Sequence, residues 1–347
     1  MKKIGIGVVG LGMGANVLPI NRVDDSVLEV RGICDIDERK LEGLAQEFHI
    51  RFVTTDYSEL LEEEEIEVIA IFSPDHLHGE QAIRALEAGK HVICTKPMVT
   101  RMEEAEKICQ LVKTKNLKFL VGQTMRYEPQ FASVKVLVEE GQLGDVILAE
   151  THYVHDMRPV FAFTPWRLTA PQDFMYGGVC HPVDVLRWFL GDVDEVFALG
   201  NRSGLTPAYP LLENFLLTLR FKNGVIARIL GAYGIVHPPI PMMGLSLFGT
   251  KGSVIADFTD KEGGRVKVVF DKFEIKSPWE TMFPPEMEGA FGHGMTVLRY
   301  LRHFEECLLE NKTPIPDCVE GAKSIAVCYA AYQSIETGKP VKVRNDF

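Results

Sequence analysis

Three side chains of this sequence combine residue types and positions that suit proton transfer. Lys96 follows a short apolar run and precedes a proline, and His181 and Asp184 are three residues apart in a helical pattern. Residues at that spacing share a helix face, so Asp184 can orient the imidazole of His181 and raise its basicity. Histidine, or a lysine with a lowered pKa, suits a general base near neutral pH. The simpler alternatives are a solvated loop lysine and a histidine that only caps its helix.

A glycine-rich turn near the N-terminus indicates a pyrophosphate-binding site. The buried-strand pattern Ile4–Val9 leads directly into the sequence GLGMGA, residues 10–15. Gly10 permits a tight turn, Gly12 lets the backbone approach a phosphate, and Ala15 replaces a third glycine at a close helix contact. Asp35 ends the second predicted strand, 20 residues after Ala15, where a carboxylate can bind ribose hydroxyls. A plain glycine turn with a surface aspartate is the alternative.

The charge of Asp35 also bears on which dinucleotide binds. A carboxylate at this position accepts hydrogen bonds from the ribose and repels a 2′-phosphate, which favours NAD. Arg39 and Lys40 lie close by in the sequence and could bind a 2′-phosphate, so NADP remains an alternative cofactor.

The first part of the chain positions these residues at strand ends. Residues 1–125 alternate short apolar runs with helical patterns, which predicts an α/β Rossmann domain with a doubly wound parallel sheet. Ligands of such sheets bind beyond the carboxyl ends of the strands. One cofactor crevice is therefore expected to gather Gly10, Gly12, Met13, Gly14, Ala15, Asp35, Ser73, Pro74, His78, Thr95, Lys96, Pro97 and Gln123. His76 and His78 lack an evident third ligand, so no metal is expected.

Residues 126–347 show a different pattern, typical of an α+β substrate domain. Six strand patterns follow Val146–Val154, and Asn223-Gly224 predicts a hairpin between two of them. Two closing helices are expected to pack on this large, mostly antiparallel sheet or on the first domain. Apolar residues occupy both alternations of Phe215–Phe221, which predicts an open apolar face and a homodimer or homotetramer formed through it.

Composition excludes several classes of protein. The net charge of −11 argues against a nucleic-acid partner, and no apolar run approaches the roughly 18 residues of a membrane span. The seven cysteines are scattered without a CxxC pair, which favours reduced, buried thiols. The first strand pattern begins at Ile4 and leaves no room for a signal peptide, so a cytoplasmic protein is expected.

Three segments resemble the glucose–fructose oxidoreductase / inositol dehydrogenase / MocA (Gfo/Idh/MocA) family of nicotinamide-dependent dehydrogenases. They are the opening GxGxxA with Asp35, the segment SPDHLHGEQAIRALEAGKHVICTKPMV (Ser73–Val99) and HPVDVLRWFLG (His181–Gly191). The tail YQSIETGKPVKV (Tyr332–Val343) is also similar to the family's last helix and strand. The resemblance implies a Rossmann domain that holds NAD or NADP, a C-terminal α/β domain, homo-oligomers, and oxidation or reduction of a hydroxyl carbon in a sugar, inositol or related polyol.

The resemblance also implies roles for individual residues. The family's Lys-Pro motif matches Lys96-Pro97, so Lys96 is expected to contact both the cofactor and the reacting hydroxyl, and a family histidine matches His78. Thr95 replaces the usual glutamate, and Gly177 replaces the aspartate usually found four residues before the histidine. We therefore expect His181 to take the proton and Lys96 to lower the hydroxyl's pKa.

Aromatic and basic side chains near the start of the second domain suit a polyhydroxylated or anionic small molecule. The predicted substrate-binding set is Arg126, His155, Arg158, Trp166, Tyr176 and His181, although such residues are more often structural. Two other functions remain open: a non-catalytic NAD(P)-bound sensor, and a hydrolase or lyase that uses tightly held NAD in transient oxidation.

Overall fold

The chain folds into two compact units in a computed structural model that describes residues 2–259, 263–271 and 293–347. Unit 1 contains residues 2–123 and 293–325 together with the C-terminal residue, Phe347. Unit 2 contains the described residues of 124–271 and residues 326–346.

Unit 1 is built on a six-stranded parallel sheet. Its strands are β1 (Ile4–Val9), β2 (Leu28–Cys34), β3 (Phe52–Thr54), β4 (Val68–Ile71), β5 (His91–Thr95) and β6 (Phe119–Gly122). They lie in the order β3-β2-β1-β4-β5-β6, with every neighbouring pair parallel. Ile6 and Val8 of β1 are fully buried, because helices cover both faces of the sheet. The predicted Rossmann sheet is confirmed.

The helices of unit 1 follow the predicted pattern, with one difference in type. They include α1 (Glu38–Phe48), α2 (Tyr57–Glu62), α3 (His78–Glu87) and α4 (Met102–Lys115). The side chain of Asp37 accepts the backbone N–H of Lys40 at the start of α1, a typical N-cap. After the glycine turn the chain forms a 3₁₀ segment, Met13–Arg22, with Pro19 inside it. Since proline has no N–H to donate, it disfavours a regular α-helix there.

Unit 2 contains an eight-stranded, mostly antiparallel sheet. Its strands are β7 (Val146–Val154), β8 (Val193–Asn201), β9 (Asn214–Phe221), β10 (Ile226–Ala232), β11 (Met243–Gly249), β12 (Gly252–Thr259), β13 (Gly263–Phe270) and β14 (Val341–Lys342). The order is β13-β12-β11-β7-β10-β9-β8-β14, and only β7 and β10 pair in parallel among these strands. Strands β9 and β10 form the predicted hairpin, with Gly224 at φ +90°.

Helices of unit 2 connect and cover these strands. They are α5 (Pro129–Glu139), α6 (Arg158–Phe163), α7 (Trp166–Thr169) and α8 (Cys180–Leu190). A short 3₁₀ segment, Thr124–Tyr127, precedes α5, and a π-helical turn, Met175–Val179, leads directly into α8. A π turn carries one more residue than an α turn and is frequent at functional sites.

Two long helices close the described chain, α9 (His293–Leu309) and α10 (Cys318–Thr337). Helix α9 belongs to unit 1, where the buried carboxylate of Glu305 accepts the Ser26 hydroxyl at 3.0 Å and the backbone N–H of Val27. Helix α10 begins in unit 1 and continues into unit 2. Within the described residues, no helix is both long enough and apolar enough to cross a membrane.

Candidate active site

The glycine turn after β1 has the shape that the sequence predicts. Gly10 has φ +85°, and a Cβ there would lie 2.5 Å from the backbone N of Ser73, so only glycine fits. Around Gly12 nothing lies within 4 Å of a Cβ position. A Cβ at Gly14 would lie 3.0 Å from Val8 Cγ1. Gly14 therefore packs closely against β1, and the close helix contact expected of Ala15 stays a prediction.

Asp35 lies directly beside this turn. Its Oδ2 accepts the backbone N–H of Leu11 at 2.6 Å, and its Oδ1 accepts the N–H of Asp37 at 3.0 Å. The carboxylate that ends β2 is thereby fixed against the glycine turn that ends β1. This arrangement suits a ligand with a phosphate next to a ribose.

Two further features of unit 1 fit a dinucleotide. The open space beside Gly12 leaves its backbone accessible to a phosphate. Gln123, which follows β6, is 2 % exposed, and its side-chain oxygen has no hydrogen-bond partner among the described residues. A buried acceptor of this kind suits a ligand donor such as a carboxamide. The residues present therefore fit NAD.

His78 connects the ends of β4 and β5. The imidazole is fully buried, with Nδ1 2.7 Å from the Pro97 carbonyl oxygen and Nε2 2.8 Å from that of Ser73. Pro97 follows Lys96, which is half-buried, and Thr95 is the last residue of β5. Pro74 precedes the short segment that leads to His78. His78 thus holds together the two loops in which the sequence places cofactor-binding residues.

In unit 2, His181 lies at the start of α8. This helix begins at Cys180, has Pro182 in its first turn and ends at Leu190, capped by Gly191 at φ +84°. The His181 ring is 3 % exposed and meets the ring of Tyr153 edge-on, with centroids 5.5 Å apart at 78°. The side chain is therefore held between its helix and the sheet.

Asp184 and Arg126 form a buried ion pair. Arg126 Nε donates to Asp184 Oδ2 at 2.7 Å and Nη2 donates to Oδ1 at 2.8 Å, and both side chains are at most 5 % exposed. The guanidinium also lies 5.8 Å from the centre of the Trp188 ring. From the sequence, Asp184 is expected to orient His181 and Arg126 to bind substrate. In the structure, Arg126 and Asp184 are ion-pair partners of each other.

The remaining predicted substrate residues fall into different surroundings. His155 stacks beside Tyr153 at 6.5 Å, close to the residue that contacts His181. The Arg158 guanidinium donates two hydrogen bonds to Asp156, at 2.9 and 2.6 Å, and they hold the pKa of that carboxyl well below its usual range. Trp166 lies under the Arg167 guanidinium at 4.4 Å.

Two tyrosines of unit 2, Tyr176 and Tyr153, have aromatic partners. Tyr176 is buried against Tyr332 of α10, with ring centres 5.9 Å apart, and its role in substrate binding stays a prediction. Burial raises the pKa of its phenol. Tyr153, which contacts His181, was missed. Its spacing of two residues from His155 at the end of a strand pattern is the signal that could have found it.

Among the described residues, no group of three or more histidine, cysteine, aspartate or glutamate side chains could hold a metal ion. All seven cysteines are free and buried.

Comparison with known proteins identifies both halves of the chain. Residues 4–123 match the family model described as an oxidoreductase family with an NAD-binding Rossmann fold. Residues 135–343 match the model of the same family's C-terminal alpha/beta domain.

Similar proteins cover most of the chain. Myo-inositol 2-dehydrogenase of Thermotoga maritima is 24% identical over 97% of this chain and 98% of its own. Levoglucosan dehydrogenase of Pseudarthrobacter phenanthrenivorans is 26% identical over 80% of each. A solved structure of a levoglucosan dehydrogenase with NADH and levoglucosan has a TM-score of 0.88 at 22% identity, covering 99% of this chain and 100% of that one. At this identity the structural likeness shows the fold.

Proposed function

Since this chain belongs to the Gfo/Idh/MocA family of NAD-binding oxidoreductases, we propose that it is an NAD-dependent dehydrogenase that oxidises a hydroxyl carbon of a sugar or cyclic polyol. The observation that carries the proposal is the placement of the glycine turn, Asp35, Lys96 and Gln123 after strands β1, β2, β5 and β6 of one parallel sheet. The relatives named as levoglucosan and inositol dehydrogenases support the substrate class.

In the proposed mechanism, each of a few groups of this chain has its own role. NAD, when bound, supplies the nicotinamide carbon that accepts a hydride. The Gly12 backbone would face the phosphates and Asp35 would accept hydrogen bonds from the ribose. As the substrate C–H bond breaks with its electron pair, the O–H proton passes to His181 and a carbonyl forms. The Lys96 ammonium lowers the cost of the negative charge that develops on the oxygen.

A panel assay tests the activity. We expect NADH to form, followed by its near-ultraviolet absorbance, with at least one compound among inositols, levoglucosan and simple sugars. NAD binding without turnover on the whole panel would favour the sensor. NAD that copurifies tightly without net NADH formation would favour the hydrolase or lyase.

Two substitutions test the assigned roles. Lys96→Met and His181→Ala are each expected to lower kcat by about 10²- to 10⁴-fold, the usual range for loss of an acid–base or electrostatic group, while NADH still binds. Lys113→Met, an exposed lysine on α4, is the matched control. Turnover within a few-fold of wild type for His181→Ala would contradict the role of His181.

We also propose that the open face of the sheet in unit 2 forms a homodimer or homotetramer. Leu216 of β9 lies opposite Leu199 of β8 and Leu230 of β10, and Leu216 and Leu199 are 53% and 56% exposed. Adjacent exposed leucines favour association. Leu216→Glu should reduce the mass measured by light scattering, whereas Leu309→Glu on α9, also at 53% exposure, should leave it unchanged. A monomeric wild-type protein would contradict the proposal.

The cytoplasm is the compartment we propose, with a small molecule rather than nucleic acid or membrane as the partner. Seven free, buried thiols suit a reducing environment, and a net charge of −11 disfavours binding to phosphate backbones.

A further inference from the structure

The start of α8 approaches the sheet of unit 2 through two glycines. A Cβ at Gly231 of β10 would lie 2.5 Å from Val179 Cγ2, and a Cβ at Gly178 would lie 2.3 Å from the Tyr233 hydroxyl oxygen. Gly231 lies on the strand and contacts Val179 of the π turn. Gly178 lies in the π turn and contacts Tyr233, the residue that follows β10. Their missing side chains allow the residues just before His181 to lie close against the sheet.

Tyr153 occupies the centre of the aromatic group formed there. Its ring meets His181 edge-on at 5.5 Å and Tyr233 edge-on at 5.4 Å, with interplanar angles of 78° and 87°. Tyr233 in turn stacks on Phe174, with ring centres 4.8 Å apart. Tyr153 therefore contacts both His181 and a pair of buried rings, Tyr233 and Phe174.

Edge-on contacts between aromatic rings have a preferred geometry and restrict rotation of the smaller ring. A general base needs this restriction, because a small misplacement of the reacting atoms greatly lowers the rate. The Tyr153 ring lies directly against the imidazole.

We propose that Tyr153 is a positioning residue for His181, acting through the contact of its ring rather than through its hydroxyl. The inference rests on the proposed function, in which His181 takes the substrate proton. Tyr153 holds the imidazole at the angle from which it meets the substrate hydroxyl, and Gly178 and Gly231 set the distance between the helix and the ring.

The test compares two substitutions at this position. Tyr153→Leu removes the ring and should lower kcat by about 10- to 100-fold, with the KM values for NAD and polyol changed less than about twofold. Tyr153→Phe keeps the ring and should recover kcat to within about threefold of wild type. Tyr329→Leu makes the same change at a 46%-exposed position on α10 and is the control.

A spectroscopic signature separates positioning from general stability. The Tyr153 ring current shifts the ring protons of His181, so their NMR signals should move in Tyr153→Leu and stay in place in Tyr153→Phe. NADH titration and thermal unfolding report whether each variant is folded. A folded Tyr153→Leu enzyme with wild-type kcat would overturn the inference, as would a Tyr153→Phe enzyme as slow as Tyr153→Leu.

The same experiment distinguishes this inference from the proposed function. If His181→Ala retains its turnover, the role of His181 fails and that of Tyr153 fails with it. If His181→Ala is inactive and Tyr153→Leu is not impaired, only the positioning role of Tyr153 is wrong.

Discussion

At the scale of single residues, Asp35 both forms a hydrogen bond to the glycine turn and favours NAD over NADP. One carboxylate oxygen accepts the N–H of Leu11 in the glycine turn, and the charge of the group disfavours a second phosphate on the ribose. Asparagine at this position keeps an acceptor for the Leu11 N–H but removes the charge. The two contributions can therefore be separated by one substitution.

We predict that Asp35→Asn raises the affinity for NADPH relative to NADH by about tenfold, since removing one nearby like charge is worth on the order of 1 kcal/mol or more. Fluorescence titration with both reduced cofactors measures the ratio. Asp37→Asn, which keeps the cap of α1, is the matched control. A wild-type protein that prefers NADPH would contradict the assignment of NAD.

His78 is a second residue with a specific role, because its imidazole lies between the carbonyls of Ser73 and Pro97. His78→Leu should lower the free energy of unfolding by about 1–3 kcal/mol, since the carbonyl that accepts the ring N–H loses its donor. His78→Gln should recover part of this loss, because its amide can donate to one carbonyl. Urea unfolding measures both, with the exposed His76→Leu as the control. Equal stability of His78→Leu and wild type would contradict this role.

At the scale of elements, the buried Arg126–Asp184 pair joins the segment Thr124–Tyr127 to α8, the helix that begins beside His181. Removing one partner leaves the other charge buried and uncompensated. The pair therefore makes the position of α8 depend on the segment that follows β6 in the chain.

We predict that Asp184→Leu lowers the free energy of unfolding by about 3–5 kcal/mol, and that Arg126→Met combined with it costs less than the sum of the single changes. A double-mutant cycle in urea measures the coupling. The exposed pair Arg220–Glu195 is the control, where loss of one partner should cost about 1 kcal/mol or less. Additive effects at Arg126 and Asp184 would show that the pair is not coupled.

At the scale of the whole molecule, two half-buried histidines make stability depend on pH. Burial lowers the pKa of His91 and of His303, and each ring accepts a backbone N–H at 2.9 Å, from Lys118 and Ile315 respectively. Only an unprotonated ring nitrogen can accept these bonds. Below the ordinary histidine pKa of about 6.5, the unfolded chain binds protons that the folded chain does not.

The free energy of unfolding should therefore be highest above about pH 7 and fall as the pH is lowered through about 6.5 toward 5.5. Urea unfolding across this range measures the slope. His91→Gln, whose side-chain oxygen also accepts a hydrogen bond, should make the slope shallower. A stability that is constant, or that increases toward acid pH, would contradict this account.

The sequence predicts the sheets of both units well because their signals are local. The short apolar run Ile4–Val9 predicts a strand buried on both faces, and Phe215–Phe221, with apolar residues in both alternations, predicts a strand whose outer face is also apolar. The hairpin at Asn223-Gly224 follows from turn chemistry alone. The strand ends, and therefore the cofactor residues placed after them, follow from the same patterns.

Contacts between residues far apart in the sequence could not be predicted from these local patterns. Arg126 and Asp184 are 58 residues apart, and helical spacing indicates the face that Asp184 shares with His181 but not what packs against it. The same limit applies to Tyr176, whose ring faces Tyr332, and to Tyr153, whose ring meets His181. Each depends on which element lies opposite, and a periodic pattern does not contain that information.

Transfer of deuterium tests the central claim most directly. A polyol that supports turnover, labelled with deuterium at the carbon that bears the reacting hydroxyl, is incubated with NAD and the enzyme, and the NADH formed is analysed by mass spectrometry. The account predicts that this NADH carries the deuterium and that His181→Ala forms it at least about 100-fold more slowly. NADH that forms without the label would contradict direct hydride transfer from the hydroxyl carbon.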